Sequence, residues 1–188
     1  DDVPELKLDV GPELDDVDLG GDGVERFYDA SGRLVEEQLS PNPVPSYVQV
    51  TERVQSGGGR RRHRGIDLKA AVGAPILSPI RGTVTRINWN TRYNGKCVEV
   101  RDRLGNTHRF LHLHRVGKLK SGQAIGVGHT LGEVGNTGRS LAPHLHYEIT
   151  DKKGRVMNPL TVVGSHRPSV SKPLLTSFQR KLKKILKI

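Results

Sequence analysis

Short stretches of this chain alternate apolar and polar residues, a pattern that is typical of half-buried β-strands. Residues 96–101 and 107–113 alternate in this way on either side of Leu104-Gly105-Asn106, so we expect them to form a hairpin. Residues 82–89 alternate less regularly and predict a further strand. Another strand is predicted at Tyr47-Val48-Gln49-Val50.

The C-terminal end of the chain follows a helical period instead. From Pro173 onward the apolar residues recur on one side of a helical wheel and the basic residues lie elsewhere around it. The apolar residues are Leu174, Leu175, Phe178, Leu182, Ile185 and Leu186, and the basic ones are Arg180, Lys181, Lys183, Lys184 and Lys187. We expect a basic amphipathic helix whose apolar stripe docks on the protein or a partner, or lies on an anionic membrane surface.

The composition favours many short strands and turns over a helical bundle. The 188 residues include 22 glycines and 11 prolines, and aromatic residues make up 4%. This length provides one ordinary core with extensions, and we expect a mainly β protein. No run of about 18 apolar residues occurs, which predicts no transmembrane helix, and no signal peptide is visible in the sequence.

Charge is distributed unevenly along the chain. The first 37 residues carry thirteen acidic and three basic side chains, a net charge of −10, whereas the whole chain has a net charge of +10. The acidic segment has few large apolar residues, so we expect it to be flexible. It is either a solubilising tail or a segment that lies over the basic remainder and moderates access to it.

Two histidine motifs have the spacing of metal ligands. In an extended strand His144 and His146 project from the same face, so their imidazoles converge. His63 and Asp67 lie four residues apart, and Gly65 between them favours a turn that enters a strand over a helix. Catalytic zinc takes three such ligands and leaves a fourth position for water. Spacing alone leaves a simpler interpretation open, because a single His-x-His pair is often an ordinary packed or surface pair.

The order of the surrounding motifs adds more than the spacing does. The chain reads Arg62-His63-Arg64-Gly65-Ile66-Asp67-Leu68, Gly82-Thr83-Val84, Phe110-Leu111-His112-Leu113, Gly132-Glu133-Val134-Gly135-Asn136-Thr137-Gly138 and Pro143-His144-Leu145-His146-Tyr147-Glu148. Over about residues 60–160 this resembles the lysostaphin-type (LytM) zinc metallopeptidase family, which cleaves peptide cross-links of bacterial peptidoglycan. The resemblance implies an antiparallel β-sheet domain with an open groove.

The resemblance also implies roles for five residues. His63, Asp67 and His146 would bind one zinc ion per chain. His144 would orient or deprotonate the attacking water, and His112 would help to stabilise the tetrahedral oxyanion.

The choice of His112 depends on the family pattern. His108, His112 and His114 would share one face of a regular strand, so periodicity does not choose among them. The match of Phe110-Leu111-His112-Leu113 to the aromatic-x-His-Leu pattern of the family selects His112. His129 and His166 lack a motif context, and we expect them in solvated loops.

A second, looser resemblance concerns residues 26–50. This segment is similar to the one that precedes the catalytic domain in the Gram-negative murein DD-endopeptidase branch, which favours D-alanyl-meso-diaminopimelate bonds as the target over glycyl-glycine bonds. It predicts a hairpin near Ala30-Ser31-Gly32 and a strand that joins the catalytic sheet. Ser56-Gly57-Gly58-Gly59 departs from the family pattern and predicts a flexible lip.

We therefore expect four segments: an acidic one (1–25), a hairpin and connector (26–55), the catalytic domain (56–163), and a linker with the amphipathic helix (164–188). Two alternatives remain, a glycyl-glycine endopeptidase and a non-enzymatic activator of cell-wall amidases. The second describes family members that have lost metal ligands, whereas here every motif position is filled.

The basic residues and the single cysteine limit the other possibilities. Arg60-Arg61-Arg62 resembles a phosphate-binding cluster, but it lies next to a proposed zinc ligand, and aromatic residues for base stacking are scarce. We expect no nucleic acid partner and instead attraction of anionic envelope polymers. Cys97 is the only cysteine, so no intramolecular disulfide forms, and its neighbours predict a buried strand position. We expect a monomer in the bacterial envelope, periplasmic or secreted.

Overall fold

A computed structural model describes residues 28–29, 31–55, 63–167, 169 and 172–186 of the chain. The described residues belong to two compact units, one within Asp1–Gln38 and His166–Ile188 and the other within Leu39–Ser165. The acidic segment 1–25 and the glycine run Ser56–Gly59 lie outside the described residues, so the interpretations of those segments stay predictions.

Within the described ranges the chain forms thirteen strands and three helices. The strands are β1 (Gln38–Leu39), β2 (Gln49–Glu52), β3 (Gly65–Lys69), β4 (Pro75–Leu77), β5 (Gly82–Ile87), β6 (Lys96–Asp102), β7 (Thr107–Leu113), β8 (Arg115–Val116), β9 (Ala124–Ile125), β10 (Thr130–Glu133), β11 (His144–Thr150), β12 (Val156–Met157) and β13 (Ser165–His166). The helices are α1 (Thr91–Asn94), α2 (Pro159–Val162) and α3 (Lys172–Leu186).

The main sheet contains eight strands. Seven of them follow the order β2-β3-β11-β7-β6-β5-β9, and β12 pairs with β11 as well. All of these pairs are antiparallel. A second sheet has the order β4-β10-β8, and β1 pairs with β13. The prediction of a mainly antiparallel β fold is confirmed.

The individual strands follow the alternation pattern closely. The predicted hairpin is present as β6 and β7, which flank the turn at Gly105. The predicted strand 82–89 ends earlier, at Ile87, because Asn88 and Asn90 adopt left-handed backbone conformations with φ of 52° and 49°. The segment after Tyr47 also joins the sheet, since β2 pairs with β3.

The core of the second unit lies against one face of the main sheet. Tyr147, Phe110 and Leu145 are completely buried there, and the rings of Phe110 and Tyr147 stack with their centroids 4.8 Å apart. Each large apolar side chain buried in this way contributes roughly 1.5–3 kcal/mol. The alternation along β11 thus directs Leu145 and Tyr147 into the core and leaves the residues between them on the other face.

The first unit contains the predicted amphipathic helix, α3. Phe178 is buried, and its ring meets that of Tyr28 edge to face, with the centroids 6.3 Å apart. Arg180 and Lys183 are exposed. The apolar stripe of the helix is therefore at least partly packed on its own chain. In the part of the chain that the structure describes, no helix is long and apolar enough to span a membrane.

Gly65 lies where the backbone of β11 leaves no room for a side chain on β3. In the register of these strands it lies opposite Glu148. A Cβ atom at this position would overlap the carbonyl oxygen of Tyr147 and lie 3.0 Å from Cε1 of His146. A side chain here would therefore push the two strands apart.

Replacing Gly65 with alanine should lower the free energy of unfolding by about 1–3 kcal/mol, because the strands must separate to accept the methyl group. Urea denaturation with a metal chelator present measures this change. Gly126→Ala is the matched control, since a Cβ atom there meets open space, and its free energy of unfolding should stay within about 0.5 kcal/mol of the parent value. Equal stabilities for the two variants would contradict the close approach.

Candidate metal centre

The pairing of β3 with β11 brings the two histidine motifs together. Asp67 lies directly opposite His146 in the register, and His63 lies two positions before the first residue of β3. The predicted strand is present, because β3 begins at Gly65, while residues 63–64 before it have no regular structure. His144 and His146 lie on the same face of β11, as their spacing predicts, while Leu145 between them is buried in the core.

The three proposed ligands form a small triangle of donor atoms. Nε2 of His63 lies 3.1 Å from Oδ1 of Asp67, and Nδ1 of His146 lies 2.8 Å from the same oxygen. The two imidazole nitrogens are 3.1 Å apart. Ligand distances of about 2.0–2.2 Å in a tetrahedral zinc site place the donors roughly 3.3 Å from one another. The triangle therefore has nearly the size that a zinc ion requires, and the donor types are those that zinc prefers.

The ring orientations also suit a metal. Nδ1 of His63 lies 3.1 Å from the carbonyl oxygen of Arg53, which can only accept, so this nitrogen carries the hydrogen and Nε2 is left with a lone pair. Nε2 of His146 faces Oε2 of Glu148 at 3.7 Å, while its Nδ1 faces Asp67. Both imidazoles thus direct one nitrogen to the donor triangle and the other to an oxygen outside it.

The electrostatics of the triangle favour positive charge. Burial alone would raise the pKa of Asp67, but hydrogen bonds from His146 and His63 outweigh it and lower the pKa of this carboxyl well below its usual range. Burial alone would lower the pKa of His146, whereas Asp67 and Glu148 raise it, to about 9. The two carboxylates therefore stabilise a cation at the imidazoles, which is what a bound divalent metal supplies.

His144 lies beside the triangle without belonging to it. Its Nδ1 is 2.7 Å from the carbonyl oxygen of Ala142 and 3.2 Å from Oγ of Ser140, so Nδ1 carries the hydrogen. Its Nε2 lies 3.6 Å from Oδ2 of Asp67. The contact that His144 makes with Ala142 is with the backbone carbonyl, which every residue type provides.

His112 reaches the site through an irregularity in β7. The register of β6 and β7 pairs Lys96 with Leu113 and Val98 with Phe110, so two residues of β7 lie opposite Cys97 alone. This is a β-bulge, and His112 within it has a left-handed backbone with φ of 67°. The bulge turns the His112 side chain to the face of the sheet that carries the donor triangle.

The bulge corrects the expectation that His108, His112 and His114 share one face, because β7 is not a regular strand. The His112 ring lies 5.0 Å from that of His144, centroid to centroid. His108 is buried on the core side, where it contacts Tyr147, and His114 is exposed. The structure thus brings His112 to the site, in agreement with the family pattern.

His112 is held by a backbone carbonyl as well. Its Nδ1 donates to the carbonyl oxygen of Thr137 at 2.8 Å, and the Thr137 hydroxyl donates to the carbonyl oxygen of Leu113 at 2.7 Å. Burial lowers the pKa of His112 to about 4. The ring is therefore neutral at pH 7, and its Nε2 carries a lone pair.

Thr137 and Glu148 contact histidines of the site, and the sequence motifs assigned neither of them a role. Thr137 acts through its carbonyl oxygen, for which residue type carries no signal. Glu148 had a signal, since a residue two positions after His146 lies on the same strand face. Cys97 is buried in β6 and His129 is exposed outside the strands, as expected. His166 is exposed as well, but it lies in β13 and not in a loop.

An antiparallel β domain with a His-Asp-His donor set and two further histidines beside it has the parts that a metallopeptidase site requires. The family model described as Peptidase family M23 matches residues 61–159. The chain belongs to this family.

Named relatives and a solved structure agree with this assignment. The chain is 34% identical over 151 residues to peptidoglycan DD-endopeptidase ShyC of Vibrio cholerae. The aligned region covers 75% of this chain and 33% of that relative. It is 32% identical over 142 residues to the L-Ala–D-Glu endopeptidase of Bacillus subtilis, and this aligned region covers 69% of the chain and 43% of the relative. A zinc-containing peptidase from Vibrio cholerae superposes with a TM-score of 0.58 at 29% identity, covering 76% of this chain and 44% of that one. The chain thus spans less than half the length of these proteins.

The donor triangle predicts that the chain binds one zinc ion and that His146→Ala abolishes this binding. Removing one of three donors should weaken the affinity more than 100-fold, on the order of 3 kcal/mol or more, and it leaves Asp67 without its closest partner. Metal analysis after dialysis gives the zinc content per chain. His129→Ala, an exposed histidine away from the motifs, should retain one ion. Equal zinc contents in the two variants would rule out this centre.

Proposed function

We propose that this chain is a zinc endopeptidase that hydrolyses peptide cross-links of bacterial peptidoglycan, at the D-alanyl-meso-diaminopimelate bond. The observation that carries this proposal is the arrangement of the five histidine and aspartate side chains. Three converge as metal donors, and His112 and His144 stand side by side next to them. This arrangement has the parts of metal-assisted amide hydrolysis.

Zinc held by His63, Asp67 and His146 would polarise the scissile carbonyl and lower the pKa of a water molecule. His144 is suited to accept the proton of that water. Its Nδ1 hydrogen is engaged by Ala142, so its Nε2 has a free lone pair. Oδ2 of Asp67, 3.6 Å from Nε2, stabilises the imidazolium that results.

His112 has a more restricted role than the family resemblance alone implies. Because its Nδ1 hydrogen is donated to Thr137, the neutral ring offers only a lone pair at Nε2. It can donate to an oxyanion only after it takes up a second proton. The 5.0 Å separation of the His112 and His144 rings disfavours a positive charge on both rings at once. We infer that the pair carries at most one proton in addition to its two Nδ1 hydrogens.

The names of the relatives support peptidoglycan as the substrate, but they refer to more than one type of peptide bond. ShyC is named as a peptidoglycan DD-endopeptidase, and the Bacillus subtilis relative as an L-Ala–D-Glu endopeptidase. The similarity of residues 26–50 to the murein DD-endopeptidase branch favours the first bond. A non-enzymatic amidase activator is disfavoured because every donor is present.

The location and partners of the chain follow from this substrate. We propose that it acts as a monomer in the bacterial cell envelope, in the periplasm or after secretion. Exposed basic groups such as Arg64 on the catalytic unit would attract anionic wall polymers, and Arg180 and Lys183 on α3 would allow contact with an anionic membrane.

The test compares zinc-loaded parent protein, His144→Ala and His129→Ala on purified meso-diaminopimelate-type peptidoglycan. The parent and His129→Ala should convert cross-linked muropeptide dimers to monomers, whereas His144→Ala should be about 100-fold to 10,000-fold slower because it lacks the base. Mass spectrometry of the muropeptides identifies the cleaved bond. Removal of zinc should stop the reaction, and its return should restore it.

The products decide among the alternatives. Disaccharides that carry only L-alanine would move the cleavage to the L-Ala–D-Glu bond. Unchanged muropeptides together with digestion of glycine-bridged walls would favour a glycyl-glycine endopeptidase. No cleavage of either wall would overturn the proposal and leave the activation of amidases to be tested.

A further inference from the structure

Four charged side chains of alternating sign cross the sheet face that carries the metal donors. The series runs from Arg86 on β5 through Glu99 on β6 and Arg109 on β7 to Glu148 on β11. In the register Glu99 lies opposite Arg86 and Arg109, and Glu148 lies opposite Arg109. We call these four residues the charge ladder.

The ladder is continuous in its contacts. Glu99 accepts hydrogen bonds from Nε of Arg86 at 3.0 Å and from Nε of Arg109 at 2.9 Å. Nη1 of Arg109 donates to Oε1 of Glu148 at 2.5 Å. The second oxygen of Glu148 lies 3.4 Å from Nε of Arg64. Arg109 thus joins the two carboxylates and fixes the position of Glu148.

Two buried carboxylates are a costly way to hold a sheet together. Glu99 and Glu148 are only 4% and 6% exposed, and well-packed apolar residues usually stabilise a core at least as well as a buried ion pair. Stability of the sheet is therefore a weak explanation for the burial of Glu148. The contact of Glu148 with one of the metal donors suggests a function for this residue in particular.

At that end, Oε2 of Glu148 faces Nε2 of His146 at 3.7 Å. Arg109 occupies Oε1 of Glu148, which leaves Oε2 directed at Arg64 and His146. A carboxylate can only accept a hydrogen, so its presence favours the His146 tautomer with the hydrogen on Nε2. That tautomer has its lone pair on Nδ1, which lies in the donor triangle.

We propose that Glu148, held by Arg109, is a positioning residue that sets the tautomer and orientation of His146 for metal binding. This inference rests on the proposed zinc site. The other histidine ligand, His63, has its outer nitrogen fixed by a backbone carbonyl. His146 has the side chain of Glu148 at its outer nitrogen instead. A substitution of Glu148 can therefore change the affinity of the site for zinc.

The experiment measures the dissociation constant of zinc by competition with a chromophoric chelator, without reference to peptidase activity. Glu148→Gln should bind zinc about 10-fold to 100-fold more weakly than the parent. Glu148→Asp retains the charge but withdraws the carboxylate by one carbon, so it should also bind more weakly. Glu99→Gln is the matched control, because Glu99 is equally buried and also contacts Arg109, but it is not among the contacts of His146. It should change the dissociation constant by less than about threefold.

Each outcome separates this inference from the zinc site itself. Parent-like affinity in both Glu148 variants would overturn the positioning role while leaving the metal centre intact. An equal loss of zinc affinity in Glu99→Gln would also overturn the positioning role of Glu148, because the loss would then reflect a general loosening of the sheet. A parent chain that binds no zinc, or a His146→Ala variant that retains it, would overturn the proposed function instead. Circular dichroism of the metal-free proteins verifies folding, and Glu148→Asp decides the matter if Glu148→Gln does not fold.

Discussion

The pairing of β3 with β11 is the constraint on which the site depends. It places Asp67 opposite His146, and a slip of one residue would turn these side chains to opposite faces of the sheet. The register is held from the other face, where Leu145 and Tyr147 are completely buried. The absence of a side chain at Gly65 lets the strands approach closely enough for the donors to meet. The core residues of β11 thus determine the geometry of its polar residues.

The bulge in β7 is the second structural requirement. Regular alternation would have placed His112 beside His108, on the core side. The left-handed backbone at His112 has a cost on the order of 1–3 kcal/mol, and such a cost is tolerated where the surrounding structure holds the residue in place. Phe110 and Leu113, both fully buried, hold the strand on either side of the bulge. The core therefore supports an unfavourable backbone that serves the site.

The sequence predicted the fold better than the details of the site. Alternation located β6, β7 and the His-x-His strand, because these strands have one face in the core and one outside it. The proposed ligand set came from the family resemblance that the order of the motifs carries. The bulge at His112 was not predictable from periodicity, since a bulge breaks the very alternation on which such a prediction rests. The end of β5 was also missed, because Asn88 gave no clear stop signal.

The orientation of the histidines was the least predictable feature, and the reason is physical. Each of the four histidines at the site directs one ring nitrogen to an oxygen outside it; the pairs are His63 with Arg53, His112 with Thr137, His144 with Ala142, and His146 with Glu148. In three pairs the oxygen belongs to the backbone, which is the same for every residue type, so the sequence carries no sign of it. Ser140 also contacts His144 through its hydroxyl, but of the two histidines among the proposed metal donors only His146 has a side chain, that of Glu148, at its outer nitrogen. Only at that pair can a change of residue type alter how a ligand is presented to the metal while leaving the backbone in place.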